Sequence, residues 1–230
     1  MYCGDDMEIN NPRYKKQGIH VMAAVFTVDH GITKILLVER KNEPFYGMWS
    51  LPGGALYNDE DLEDGMRREL LEKTGLVIPN LKQCSVFGKV HRSPCMRMIG
   101  ISYFGVIDRF KVELLTSTLK TSNAGWFAIN QIPPLAYDHE EIIQDALEKL
   151  KESIVESDIL EILFPKEFTL PEIQKVYESI LGTNYDRRNF RKRMLSLNLI
   201  EDTGETAKFE GKKPAKLYRF RKGKKQKRIF

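Results

Sequence analysis

A chain of 230 residues that is 42% hydrophobic and 30% charged has an ordinary folded-protein composition, which excludes collagenous, mucin-like and wholly disordered classes. The length suits one large domain or two smaller ones. Net charge is only +4, but residues 1–150 hold 17 basic and 20 acidic side chains, whereas residues 151–230 hold 19 and 12. From Arg187 to Phe230 the count is 16 basic to 4 acidic, a balance that favours a polyanionic partner at that end. Apolar runs such as Val21–Phe26 and Ile35–Val38 fall far short of the roughly 18–20 residues of a spanning helix, so no membrane partner is expected. Asp5, Asp6 and Glu8 are unlike a secretory signal, and Cys3, Cys84 and Cys95 lack metal-ligand spacing. A reduced, cytoplasmic protein is the expectation.

Residues 1–17 are polar and expected to fray. Ile19–Val28 and Lys34–Arg40 flank Gly31 and predict a strand pair; further strands are expected near Cys84–Val90 and Met98–Ile107. A helix is predicted with Asn58 as N-cap, Asp59, Glu60 and Asp61 in its first turn, and Gly75 just past its end. A second follows Pro133-Pro134, with Asp138 and Glu141 resembling a capping box and Ile142, Ile143, Ala146, Leu147 and Leu150 as its apolar stripe. Strands interrupted by helices indicate an α/β sandwich through about residue 152.

Ser153–Lys166 carries Ile159, Leu160, Ile162, Leu163 and Phe164, too much apolar surface for a free linker, and is expected to dock. Beyond it, Thr169 is positioned to cap a helix over Leu170–Leu181 that Gly182 ends, and Asp186 to cap another reaching about Asn198. A Thr203-Gly204 turn, the loop Glu210–Pro214 and the alternating run Lys216–Arg221 follow. Two short helices and a basic hairpin are the pattern of a winged helix-turn-helix. The domains are therefore expected at 1–156 and 157–230, the second ending in a basic tail, Arg221–Arg228.

Within the second helix of that unit, Phe190, Met194 and Leu197 share one face at about 100° per residue. Arg188, Lys192 and Ser196 point away, flanked by Arg187, Asn189 and Arg191. Cations and an amide presented this way suit the major groove of double-stranded DNA, since Arg pairs bidentately with guanine and Asn with adenine. Lys212, Lys213 and Lys216 on the wing are expected to meet phosphate.

The most specific pattern is Trp49-Ser50-Leu51-Pro52-Gly53-Gly54, then Glu60, then Arg68-Glu69-Leu70-Leu71-Glu72-Lys73-Thr74-Gly75-Leu76. It resembles the Nudix box without a gap over 23 residues, which implies an α/β/α sandwich. That family hydrolyses nucleoside diphosphates linked to another group, using Mg²⁺ held by carboxylates on one helix. Carried over by position, the resemblance makes Glu69 and Glu72 the metal ligands, Arg68 the residue that orients a carboxylate, and Glu60 a structural or outer ligand. The second Glu of the family's Glu-Glu pair is Lys73 here. Lys73 and Glu69 are spaced i, i+4, and an ammonium there repels Mg²⁺, so metal affinity and hydrolysis are expected to be weakened or lost.

The stretch Trp126-Phe127…Ile132-Pro133-Pro134-Leu135-Ala136-Tyr137-Asp138-His139 resembles one in Nudix proteins that act on or bind ADP-ribose. The resemblance adds Asp138 and His139 to Gly54 and Glu60 of the box as candidate ligand-binding residues; separately, the basic cluster His91, Arg92 and Arg97 between predicted strands suits an anionic or sugar ligand, with Arg92 and Arg97 as its candidates. Together with Phe168-Thr169-Leu170…Tyr177-Glu178…Asp186–Arg193, the whole of about residues 18–221 resembles the NrtR-type Nudix-related transcriptional regulators. It implies a homodimer that binds operator DNA and senses ADP-ribose, a nucleotide or a sugar. The alternative is an Mg²⁺-dependent hydrolase of ADP-ribose or a related nucleoside diphosphate.

Overall fold

A computed structural model describes residues 16–156, 159–164, 167–207 and 214–221. The expectations for the first fifteen residues, for Lys212 and Lys213, for most of the Glu210–Pro214 loop and for the tail past Arg221 lie outside the described residues. Among the described residues no helix is long and apolar enough to cross a membrane.

The chain runs β1 (Gly18–Asp29), β2 (Ile32–Arg40), β3 (Trp49–Ser50), β4 (Gly53–Ala55), α1 (Leu62–Thr74), β5 (Lys82–Phe87), β6 (Met98–Val106), β7 (Thr121–Ala128), α2 (His139–Glu156), α3 (Ile159–Leu163), β8 (Phe168–Thr169), α4 (Leu170–Leu181), α5 (Arg187–Ser196), β9 (Ile200–Ala207) and β10 (Ala215–Phe220). Strand β1 organises the larger sheet. One edge pairs in parallel with β6, Gly18 opposite Met98 through Phe26 opposite Val106. The other edge is shared: β4 takes His20–Met22 and β2 takes Phe26–Asp29, both antiparallel. Because β4 and β2 divide one edge, the far part of β2 leaves β1 and pairs on that side with β3, while β7 runs along its opposite edge from Lys34 to Arg40. That divergence is what leaves room for a cleft.

Alternate residues of β1 serve opposite faces, so its run Val21–Phe26 is apolar throughout, as a strand covered on both sides must be. Val21, Ala23 and Val25 pack with Met66 and Leu70 of α1. Met22, Ala24 and Phe26 face the cluster that holds Ile142, Ile143, Ala146 and Leu150 of α2. The expected helix–sheet–helix sandwich results. The same cluster continues without a break into Phe168, Ile173, Tyr177, Phe190 and Met194. These line the core of the second unit, where α4 and α5 stand against the sheet β8-β10-β9.

Three local expectations are corrected, and a fourth, that the segment after Ser153 docks, holds with its bounds shifted. Helix α1 begins after Asp61, not Asn58, because the Glu60 carboxylate is held by the Tyr57 N–H and by Arg68. Asp138 and Glu141 make no capping box: their carboxylates are taken by Arg92 and Lys89. The expected linker is largely helical. Its Ser153 belongs to α2, which reaches Glu156, while Ile159 and Leu160 of α3 are buried and Ile162, Leu163 and Phe164 pack against the core. Thr203-Gly204 is not a turn but a bulge inside β9. Gly204 takes φ 81° and its N–H bonds to Asp202, and three residues of β9 lie opposite one of β10.

Candidate functional site

A cleft of about 320 Å³ opens where β2 splays from β4. The end of β2 supplies Arg40, with Lys41 just beyond; β4 supplies Gly54, α1 supplies Glu69 and Lys73, and the residue before β7 is Lys120. Glu69 lies at its base with a side chain only 3% exposed, and three cations surround it. Arg68 Nη1 donates to Glu69 Oε1 at 2.6 Å, Lys73 Nζ stands 3.3 Å from Oε2, and Lys120 Nζ stands 3.4 Å from Oε1. Arg68 also donates to both Glu60 oxygens at 2.6 and 2.8 Å and to Glu72 at 3.2 Å, and its guanidinium lies 3.9 Å over the Tyr57 ring. Lys73 donates to the Gly53 carbonyl, and Lys120 to Glu72.

The backbone explains how Glu69 enters so deeply. A Cβ on Gly54 would fall on the Glu69 carboxylate, so only glycine at that point of β4 lets α1 approach this closely. Burial alone would raise the Glu69 pKa, but Lys73, Arg68 and Lys120 outweigh it and hold the carboxyl below its usual range. Lys73 is pulled below the usual lysine range by burial, and Glu69 opposes the pull. Arg68 holds Glu60 down to about 2.

This donor set does not fit Mg²⁺. Both oxygens of Glu69 already face cations, Glu72 accepts from Arg68 and Lys120, and Glu60 is closed in a fork with Arg68. Among the described residues no group of three or more His, Cys, Asp or Glu side chains is placed to hold a metal ion.

The other candidate ligand residues gather elsewhere. Arg92 forks onto Asp138 with Nε and Nη2 at 2.8 and 2.7 Å. The first residue of α2, His139, is buried and accepts the Leu51 N–H on Nδ1 at 2.9 Å. Burial, with help from Arg92 and against Asp138, lowers its pKa to about 3. Arg97 donates to the Gly88 and Lys89 carbonyls. None of these four lines the cleft, whereas Gly54 does and Glu60 borders it by accepting the N–H of the lining residue Tyr57. Sequence reasoning missed Lys120, which lies 51 residues from Glu69 before a strand that went unrecognised. It also missed His20 on β1, which burial, Arg92 and Lys73 lower to about 4.

The second constellation is α5. Asp186 caps it, accepting the N–H groups of Arg188 and Asn189 at 3.1 and 2.9 Å. Phe190 and Met194 are fully buried, with the Phe190 ring meeting Tyr177 and Tyr185. Arg187, Arg188, Asn189, Arg191 and Lys192 are all exposed, forming a cationic face on a helix anchored from behind. Lys216 on β10 is also exposed and pairs with Asp202 at 2.6 Å.

Comparisons with known proteins agree on both parts. The NUDIX domain model matches residues 17–146, and the NrtR DNA-binding winged helix domain model matches residues 161–220. The chain is 37% identical over 201 residues to the ADPR responsive transcriptional repressor NtrR of Acinetobacter baylyi, covering 86% of this chain and 79% of that one. The crystal structure of Shewanella oneidensis NrtR complexed with a 27mer DNA superposes with a TM-score of 0.69 at 32% identity, over 88% of this chain and 93% of that one. The NUDIX domain of the same Shewanella protein complexed with ADP ribose gives a TM-score of 0.55 at 31% identity, over 62% of this chain and 94% of that one.

Proposed function

The chain belongs to the NrtR family of Nudix-related transcriptional regulators, and from that premise we propose that it is an ADP-ribose-responsive repressor acting in the cytoplasm. Residues 1–156 form the sensing unit and residues 157–230 the DNA-binding unit of a homodimer. The observation that carries the reading is the pairing of a Nudix cleft whose carboxylates are neutralised by cations with an exposed basic helix anchored on a winged-helix core.

On DNA, Arg188, Asn189 and Lys192 face base edges in the major groove, flanked by Arg187 and Arg191, while Lys216 of β10 approaches phosphate. The sensing unit reaches the DNA-binding unit through β2. Val38–Arg40 line the cleft, and Thr33 near the other end of the strand donates its N–H to Ser179 Oγ of α4 at 2.8 Å. Gly31, in the turn before β2, sits against the Lys175 side chain of the same helix. An effector that displaces the cleft end of β2 therefore shifts α4, and with it the spacing of the two recognition helices of the dimer.

Two assays test this. In a gel shift on duplex DNA from upstream of its own coding sequence, the chain should bind with strong salt dependence and release on addition of ADP-ribose. The double variant Arg188→Ala, Lys192→Ala should not bind. Incubation with ADP-ribose and Mg²⁺ should leave the compound intact; rapid release of AMP and ribose phosphate would favour a hydrolase instead.

A further inference from the structure

We propose that Lys73 and Lys120 take the place of a divalent cation, so that the cleft holds the diphosphate of a nucleoside diphosphate-linked ligand without metal. The inference rests on the effector reading above and adds how the ligand is held.

Charge balance is the first support. Glu60, Glu69 and Glu72 are matched one for one by Arg68, Lys73 and Lys120 in direct contacts. A divalent cation brought into that cluster finds each carboxylate already ion-paired and two ammonium groups to repel it. Four cations line the cleft (Arg40, Lys41, Lys73 and Lys120) against its carboxylates Glu39 and Glu69 and the Lys120 partner Glu72, an excess of one positive charge. The surplus suits an anion.

Donor capacity is the second. Each ammonium carries three N–H groups and no acceptor. Lys73 spends one on the Gly53 carbonyl while its Nζ stands 3.3 Å from Glu69 Oε2 as an ion pair, and Lys120 spends two on Glu69 and Glu72. At least one N–H on each is left for a phosphate oxygen. Both are aimed by their ion pairs, with side chains 17% and 38% exposed, so little freedom is lost when a ligand arrives. The cleft volume of about 320 Å³ lies in the range of small-molecule sites.

The test is calorimetric titration of ADP-ribose into the full chain, once in EDTA and once in Mg²⁺, with inorganic pyrophosphate run in parallel as a thermal-shift probe. The wild type should bind ADP-ribose in EDTA with a Kd within about twofold of that in Mg²⁺, about 0.4 kcal/mol apart. Lys73→Glu should weaken binding in EDTA about tenfold or more, the loss of one charge-assisted bond to phosphate, and Mg²⁺ should restore part of it. Lys120→Met, at a more exposed position, should weaken binding in EDTA without disturbing the fold. Wild-type binding that needs Mg²⁺ overturns the proposal and leaves the effector reading standing. Failure of ADP-ribose in both buffers overturns the effector reading. In that case pyrophosphate stabilising the wild type but not Lys120→Met in EDTA still supports the metal-free site, and no stabilisation overturns it.

Discussion

Gly54 and Lys73 together account for the character of the cleft, one by what it lacks and the other by what it carries. Because the space of a Gly54 side chain is filled by the Glu69 carboxylate, Gly54→Ala should destabilise the protein by about 1–3 kcal/mol in urea unfolding. It should also loosen the ion pairs around Glu69. His139 gives a pH signature. Its folded pKa of about 3 lies below its ordinary value of 6.5, so its contribution to stability is complete above pH 6.5 and is lost as the pH falls. Between pH 6.5 and 4 its share of the loss should approach about 1 kcal/mol per pH unit, measured by urea unfolding at successive pH values, and His139→Gln should remove that share while the share of His20 remains. At this scale the sequence was legible where a motif gives each residue a partner nearby in the chain, as Lys73 has in Glu69. Lys120 and His20 were not legible, because their partners arrive only through the fold of β7 and β1 against α1.

The elements of the DNA-binding unit follow local rules closely. Thr169 caps α4 in a reciprocal box with Glu172, Pro171 sits in the first turn, and Gly182 closes the helix at φ 65°. Thr169→Ala should cost about 1 kcal/mol of stability and leave the exposed face of α5 intact, which separates folding from DNA affinity. The elements that sequence reading misplaced are those where a distant contact overrides a local signal. Asn58 looks like a cap, but Arg68 draws Glu60 away and the helix starts three residues later. Strand β7, with Asn123 and Gly125 in it, has weak strand propensity and exists because β2 pairs with it from Lys34 to Arg40. Thr203-Gly204 carries turn chemistry that the longer β9–β10 pairing absorbs as a bulge.

At the scale of the whole molecule, the uneven charge spread of the chain resolves into a cleft and a basic helix joined by one apolar core. That continuity means the two units do not move as beads on a string: β2 borders the cleft near one end and seats α4 near the other. Ser179→Ala, which removes the acceptor of the Thr33 N–H, should leave ADP-ribose affinity and basal DNA affinity nearly unchanged while reducing the effect of ADP-ribose on DNA binding. Control of the basic helix thus rests on a ligand held without metal in this cleft. The most direct test is fluorescence anisotropy of an operator duplex with the full chain in EDTA, titrated with ADP-ribose. Anisotropy should fall to the value of free DNA in the wild type and fall much less in Lys73→Glu at the same ligand concentration. DNA binding that stays unchanged by ADP-ribose in EDTA but responds once Mg²⁺ is supplied would contradict control by a metal-free ligand.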